Sequence, residues 1–420
     1  MAGGPGIGLL LILVVPFIWG MPSAMMTAEL SSAIPVEGGF YHWTKRALGP
    51  FWGFLAGWWT WLYTWVDAAL YPVLFATYVS SLIEMLGHGS LLESNPWLKW
   101  GVGLAMVIPL TWLNIRGTRL VGTASIVFAL IFLTPFLILI AMGISKFLSN
   151  SSAAWTPFVA PGSSLIKAAG AGLYVAMWNY LGWDDLSTIA GEVDDPQKTF
   201  PRALMIAVGM TLAAYLLPTL VGIVAMPDYA NWDEGTWAKV AQAIGGSWLG
   251  VLIIGAGLFS AMGLFASTLL ASSRIPFVLG EDGWLPTALT RLHPKYGTPY
   301  VAILVSAVVY TVLSFKSFES LVVIDVILDS AAIILELIAL AVLRWKEPDL
   351  VRPYKIPGGW FGIAYVLICP IAIVTFAIYY SVFIDEEMGL SSLWMALAAL
   401  ATGPIFYWVA SRTYLLRRNK

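Results

Sequence analysis

The sequence predicts an all-α protein, a polytopic bundle of membrane-spanning helices. Three observations predict it: charge is too sparse for a wetted surface, apolar runs of membrane length recur along the chain, and basic residues collect in alternate loops. Of 420 residues 59% are hydrophobic and 11% charged, with a mean hydropathy of +0.81. A soluble domain carries roughly 25% charged residues to wet its surface. The 21 Trp, 17 Tyr and 20 Phe suit membrane interfaces and polar-aromatic cavities, where a ring has one dry and one wet side. Cys369 is the single cysteine, so no internal disulfide forms, and with no Cys/His framework neither a zinc nor a redox metal site is expected. A net charge of −2 leaves no basic tract for nucleic acid. The expected partners are the lipid bilayer and a small-molecule substrate; neither composition nor spacing sets an oligomeric state.

A helix needs about 20 apolar residues to cross a hydrocarbon core roughly 30 Å thick. Eleven such runs lie near 6–34, 51–86, 97–115, 120–148, 165–190, 203–226, 244–275, 299–315, 320–343, 360–384 and 390–415. The first is not a signal peptide, because no Lys or Arg precedes it and it continues well past a typical signal core. Pro16, Pro22, Pro72 and Pro135 are read as kinks tolerated within a helical bundle. Positive charge marks cytoplasmic loops. One set of alternate loops holds 17 of the 22 basic residues, among them Lys45, Arg46, Arg116, Arg119, Arg274, Arg344, Arg417, Arg418 and Lys420; the other holds Lys99, Lys146, Lys167, Lys239 and Lys316. The opposite loops are acidic or neutral, as at Asp228, Asp233 and Glu234 or Asp385, Glu386 and Glu387. The C-terminus is expected to be cytoplasmic in the cell membrane. Eleven crossings then put Met1 outside, which suggests that one helix precedes residue 1.

Ionisable residues inside a membrane cost about 2.5–3.5 kcal/mol each on insertion scales and default to functional candidates facing the bundle interior. Asp67 lies mid-segment and serves either a hydrogen bond to a neighbouring helix or a cavity. Asp325, Asp329 and Glu336 follow at steps of four and seven, which stack on one helical face; Asp325 belongs either to the membrane interior or near the headgroups. Glu29 is nearer its segment end and reads as a loop-ordering residue. The densest polar stretch is Trp178, Asn179, Tyr180, Leu181, Gly182, Trp183, Asp184, Asp185, in the middle of an apolar crossing. Gly170, Gly172 and Gly182 lower helicity, and Asn179 with two acids demands partners that lipid lacks. A helix interrupted near Tyr180 to Gly182, its polar side on a wet cavity, meets both demands. Asp184 and Asp185 are about 100° apart on a helix, so at most one points fully into such a cavity. Trp58, Trp59 and Trp61 read as belt or packing residues, and His42, His88 and His293 as solvated loop residues.

The stretch from Gly182 through Gly191, Glu192 and Pro196 to Pro201 and Leu204 resembles the sixth-helix signature of the amino acid/polyamine/organocation (APC) superfamily. Two further stretches match in order: Ala28-Glu29-Leu30 through Glu37-Gly38-Gly39 to Gly49, and Asp282-Gly283-Trp284-Leu285-Pro286 through Gly297-Thr298-Pro299. Residues 69–75, 335–340 and 352–357 look most like the polyamine uptake permeases of that superfamily. The resemblance implies a twelve-helix, LeuT-like inverted-repeat transporter with substrate between its broken first and sixth helices. It implies a single membrane domain over 1–420, with 1–148 as a first repeat lacking its first helix, 165–343 as the second inverted repeat, and 360–415 as two additional helices. Trp178 matches the aromatic that closes over substrate, Gly182 the unwound turn, and Asp184 an acidic position after it. One departure stands against the polyamine reading: plant polyamine permeases carry a glutamate where this chain has Ala266.

Carboxylates among Trp and Tyr suit an organic cation through charge pairing and cation–π contacts of about 0.5–2 kcal/mol. The expectation is proton-coupled uptake of a polyamine or amino acid by alternating access. Substrate contacts fall to Asp67, Trp178, Asn179, Tyr180, Gly182 and Asp184, and proton coupling to Asp184, Asp329 and Glu336, with the proton gradient as energy source and no cofactor. The alternative is a non-transporting homologue acting as a sensor or partner if Met1 is the true start. No enzymatic activity is expected, since no loop is long enough for a catalytic domain and no His or Cys constellation supplies a nucleophile or metal.

Overall fold

The computed structural model describes residues 3–87, 91–92, 94–229, 232, 235–384 and 389–418, with backbone only at 389–390 and 413–418. Met1, His88, Asp233, Glu234, Asp385, Glu386, Glu387 and Lys420, and the side chains of Arg417 and Arg418, lie outside the described residues. The helices are α1 (Pro5–Ala33), α2 (Gly39–Leu48), α3 (Pro50–Met85), α4 (Pro96–Arg116), α5 (Thr118–Ser149), α6 (Leu165–Trp178), α7 (Pro196–Ala225), α8 (Thr236–Gly245), α9 (Ser247–Ser272), α10 (Arg274–Glu281), α11 (Tyr300–Leu313), α12 (Phe318–Lys346), α13 (Trp360–Phe383) and α14 (Gly389–Arg418). No strand occurs among the described residues.

Each of the eleven apolar runs carries a helix. Among the described residues nine, counting α9 with α10, are long and apolar enough to cross a membrane; α6 and α11 are shorter. The prolines do not end these helices. Pro72 and Pro135 sit inside α3 and α5. In α1 the Pro16–Gly20 turn widens to π geometry, which accommodates the missing proline N–H and the ring clash with the preceding turn. Two amphipathic helices, α2 and α8, lie outside the apolar runs because at 10 residues each they are too short to register as crossings; α10 continues the α9 span beyond the run read from the sequence. His42, expected in a solvated loop, is on α2 and half-buried; burial holds its imidazole below the ordinary range.

α3 is the central element and packs along α12, α9, α2 and α4. Trp58 and Trp61 are buried in its core, and the Trp58 and Trp59 indoles donate to Thr402 Oγ1 (2.8 Å) and the Leu400 carbonyl (3.0 Å) of α14. Gly170 permits a close approach on α6: a Cβ there would lie 1.9 Å from the Tyr380 ring of α13. It sits in regular helix, so its role is packing and not the interruption of α6.

On the arginine-rich side, two motif regions turn out to be clamps. Glu29 is fully buried and pairs with Arg344 (both contacts 2.5 Å) and Arg352 (3.1 Å), while the Ile356 amide donates to its Oε2 at 2.8 Å. One carboxylate thereby joins α1 to α12 and to the loop before α13, the loop-ordering role read from its position. Asp282, after α10, accepts from Tyr41 and Lys45 of α2, and the Trp284 indole donates to Tyr41 Oη at 3.0 Å. Partial burial pulls the Asp282 carboxyl upward, but these hydrogen bonds outweigh it and hold the group below the usual carboxylate range.

Removing Glu29 strands two buried guanidinium groups, whereas the Arg46–Glu347 pair is half-exposed at 45% and 31%. Glu29→Ala is expected to cost about 3–5 kcal/mol, and Arg46→Ala less than about 1 kcal/mol. Thermal unfolding of the two variants in detergent measures the contrast.

Candidate functional site at the break after α6

Ser164 caps α6 by accepting from the Lys167 amide at 3.2 Å, and the helix ends at Trp178. Two tight bonds close its last turn, Tyr180 N to Met177 O (2.9 Å) and Leu181 N to Trp178 O (3.2 Å). Gly182 then takes φ +75°, a left-handed conformation open to glycine because a Cβ would crowd the following carbonyl. The chain resumes as a 3-10 turn over Asp185–Glu192, supported by Ser187 N to Asp184 O (2.8 Å) and Thr188 Oγ1 to Asp185 O (2.6 Å). The interruption thus falls where the sequence reading put it.

A cavity of about 230 Å³ opens against this break. Tyr63, Asp67 and Tyr71 of α3 reach it at steps of four, which share one helical face. Trp178, Asn179, Gly182 and Asp185 come from the break, Tyr215 from α7, and Ser267, Thr268 and Ala271 from α9. Asp67 is mostly buried (8% exposed) and bonded at both oxygens. Tyr71 Oη donates at 2.8 Å to each, Trp178 Nε1 at 3.2 Å to Oδ1, and Thr268 Oγ1 at 3.2 Å to Oδ2. Asp67 therefore performs both tasks weighed for it: it binds neighbouring helices and faces the cavity. It also steers the Trp178 indole, whose ring meets Phe318 of α12 edge-on at 5.5 Å. Asp185 accepts from Tyr63 Oη. Among the described residues no Lys, Arg or His lines the cavity.

The remaining candidates lie elsewhere. Tyr180 turns away; its ring packs on Gly20 of the α1 π-turn, where a Cβ would come within 3.1 Å, and against Tyr215 at 5.8 Å between centroids. Of the adjacent acids the one that lines the cavity is Asp185, and Asp184 points into the bundle, 0% exposed, with neither carboxylate oxygen hydrogen-bonded. Asp325, Asp329 and Glu336 are equally buried, with no hydrogen bond to their carboxylates among the described residues. Glu336 and Asp329 lie within electrostatic reach of Asp184 and Asp185. Ala266 is fully buried and not in the cavity wall; its carbonyl accepts from Asn114 Nδ2 at 3.2 Å. Among the described residues no group of three His, Cys, Asp or Glu is placed to hold a metal. Tyr63, Tyr71 and Thr268 were not singled out from the sequence. The tyrosines four residues either side of Asp67 were the available signal.

The sequence profile of the family described as amino acid permease matches residues 1–406. The chain belongs to that family. It is a secondary transporter for a small-molecule substrate. The permease is 35% identical over 403 residues to the Arabidopsis thaliana polyamine transporter RMV1, covering 95% of this chain and 77% of that one. It is 35% identical over 417 residues to the polyamine transporter PUT1 of Oryza sativa subsp. japonica, covering 99% and 75%. Among solved structures, MhsT in complex with L-phenylalanine shares its fold, with a TM-score of 0.60 at 16% identity over 89% of this chain and 92% of that one.

Gly182 of the permease carries a conformation that a side chain opposes, and a Cβ there would approach Asp185 Oδ2 at 3.2 Å. Gly182→Ala is expected to destabilise the protein by about 1–2 kcal/mol and to weaken substrate binding through displacement of Asp185. Thermal unfolding with and without substrate measures both effects.

Proposed function

We propose that this permease carries an organic cation, a polyamine or a cationic amino acid, and couples its uptake to protons by alternating access. The observation that carries the reading is the cavity wall: two carboxylates, Asp67 and Asp185, four aromatic rings, and no basic side chain among the described residues. An amino acid's carboxylate needs a compensating positive group or free N–H donors, while an ammonium needs acceptors and ring faces. This wall supplies the second set. The two similar relatives named as polyamine transporters support the same choice.

Proton coupling is assigned to Asp184, Asp329 and Glu336. Carboxylates buried without hydrogen bonds cannot hold a negative charge cheaply, so a group that gains a proton on one side and releases it on the other suits this position. The transporter is placed in the cell membrane with its arginine-rich loops and C-terminus cytoplasmic, because 17 of 22 basic residues fall in those loops. Residues 1–148 and 165–343 are read as the two inverted repeats and 360–415 as the additional pair.

Uptake of labelled putrescine, spermidine, arginine and leucine into proteoliposomes, with and without an inward proton gradient, tests the reading. A polyamine or arginine should accumulate only with the gradient, and preferential gradient-independent leucine uptake would refute it. Asp185→Asn and Asp67→Asn should each weaken apparent affinity about tenfold or more, the loss of one charged hydrogen bond. Asp184→Asn should abolish accumulation against a gradient while sparing exchange at equilibrium. Equal accumulation by wild type and Asp184→Asn would remove that residue from the coupling.

A further inference from the structure

A second cavity, of about 780 Å³, lies on the arginine-rich side and is walled by Glu37, Arg116, Thr118, Glu192 and Arg274 among others. Two stretches of chain run from the central cavity to this vestibule. Ala271, near the end of α9, lines the central cavity, and Arg274, the first residue of α10, lines the vestibule three residues later, a separation of about 4.5 Å at helical rise. In the break, Asp185 and Leu186 line the central cavity, and Glu192, at the end of the same 3-10 turn, lines the vestibule.

The two stretches are joined where they reach the vestibule. Arg274 Nε and Nη2 donate to Glu192 Oε1 at 3.2 and 3.1 Å, and Nη2 also donates to Thr118 Oγ1 at 2.9 Å. Nη1 donates to the Leu270 carbonyl and Ser273 Oγ, both at 3.0 Å, and Thr118 Oγ1 donates to Glu192. The partners are unequal: the Arg274 side chain is 2% exposed and that of Glu192 35%. Arg274 is anchored by backbone and hydroxyl acceptors of its own corner, so the half of the pair free to move is Glu192. Glu37, within electrostatic reach of both, adds a second carboxylate to the vestibule wall. A cation leaving the central cavity would therefore meet acceptors once Glu192 swings aside, and the buried guanidinium would keep its other bonds.

We propose that the Arg274–Glu192–Thr118 cluster is the barrier between the central cavity and the vestibule, and that separation of Glu192 from Arg274 is the step by which cargo passes between them. Arg274 and Thr118 are positioning residues that act through Glu192. The proposal rests on the transport function and holds whichever cation is carried.

The test uses the full chain in membrane vesicles with Cys369→Ser and Ala271→Cys, so that one thiol reports access to the central cavity. A membrane-impermeant methanethiosulfonate is added to the face that carries Arg116 and Arg119, then separately to the opposite face. Glu192→Gln keeps an acceptor but removes the charge; it should raise the reaction rate from the Arg116 face about tenfold and lower it from the other, as expected when a charged hydrogen bond is lost from one state only. Glu192→Asp should restore most of the slow rate. Thr118→Val, which keeps both charges, should give a smaller rise of about threefold and serves if the glutamine variant does not fold. Unchanged rates in Glu192→Gln and Thr118→Val overturn the proposal. So do equal increases from both faces, which would mark general loosening of the bundle.

Discussion

Hydrocarbon offers no hydrogen-bond partners, so every unpaired backbone group and every charge in the bundle must be answered from within the protein. That constraint bears hardest on residues 179–184, where α6 stops and a left-handed glycine redirects the chain. The interruption persists because α3 faces it with Tyr63, Asp67 and Tyr71, and α9 faces it with Thr268. Those side chains supply the polar contacts that lipid lacks, and the space left between them is the cavity. The candidate site and the structural compensation are the same feature seen from two sides.

The rest of the bundle holds that arrangement at two different stiffnesses. Close approaches at Gly20 and Gly170 set α1 against the break and α6 against α13, the second with no room for a methyl group. The Glu29 cluster has both sides of its ion pairs buried, which makes separation costly and suits a joint that keeps α1, α12 and the following loop together. The Arg274–Glu192 cluster has one buried partner and one open to water, so its separation is far cheaper. Between them lies the division expected of a transporter, a scaffold that stays and a contact that parts.

Much of the site was legible because its signals are compositional. Acids and asparagine in an apolar run, a glycine beside them, and carboxylates stacked at steps of four and seven on α12 stand out against a background that is 59% hydrophobic. Less was legible where the contributing residues are ordinary. Tyr63 and Tyr71 resemble interface tyrosines, and Thr268 resembles any hydroxyl in an apolar helix; only contact with Asp67 distinguishes them. The short helices α2 and α8 were hidden because length, the measure that identifies a crossing, does not identify an element of ten residues.

By itself the sequence determined that the chain lives in a membrane, where its membrane-length helices run, where one crossing breaks, and which ordered motifs tie it to a family of permeases. These follow from local chemistry: hydropathy over about 20 residues, turn conformation at a single glycine, and charge in a loop. Which of Asp184 and Asp185 faces the cavity was decided by tertiary structure, since the angle between neighbouring residues says that they diverge but not toward what. The same holds for the pairing of Arg274 with Glu192, 82 positions apart. Such choices depend on which helices come to lie beside the break, and that is set by packing across the whole bundle.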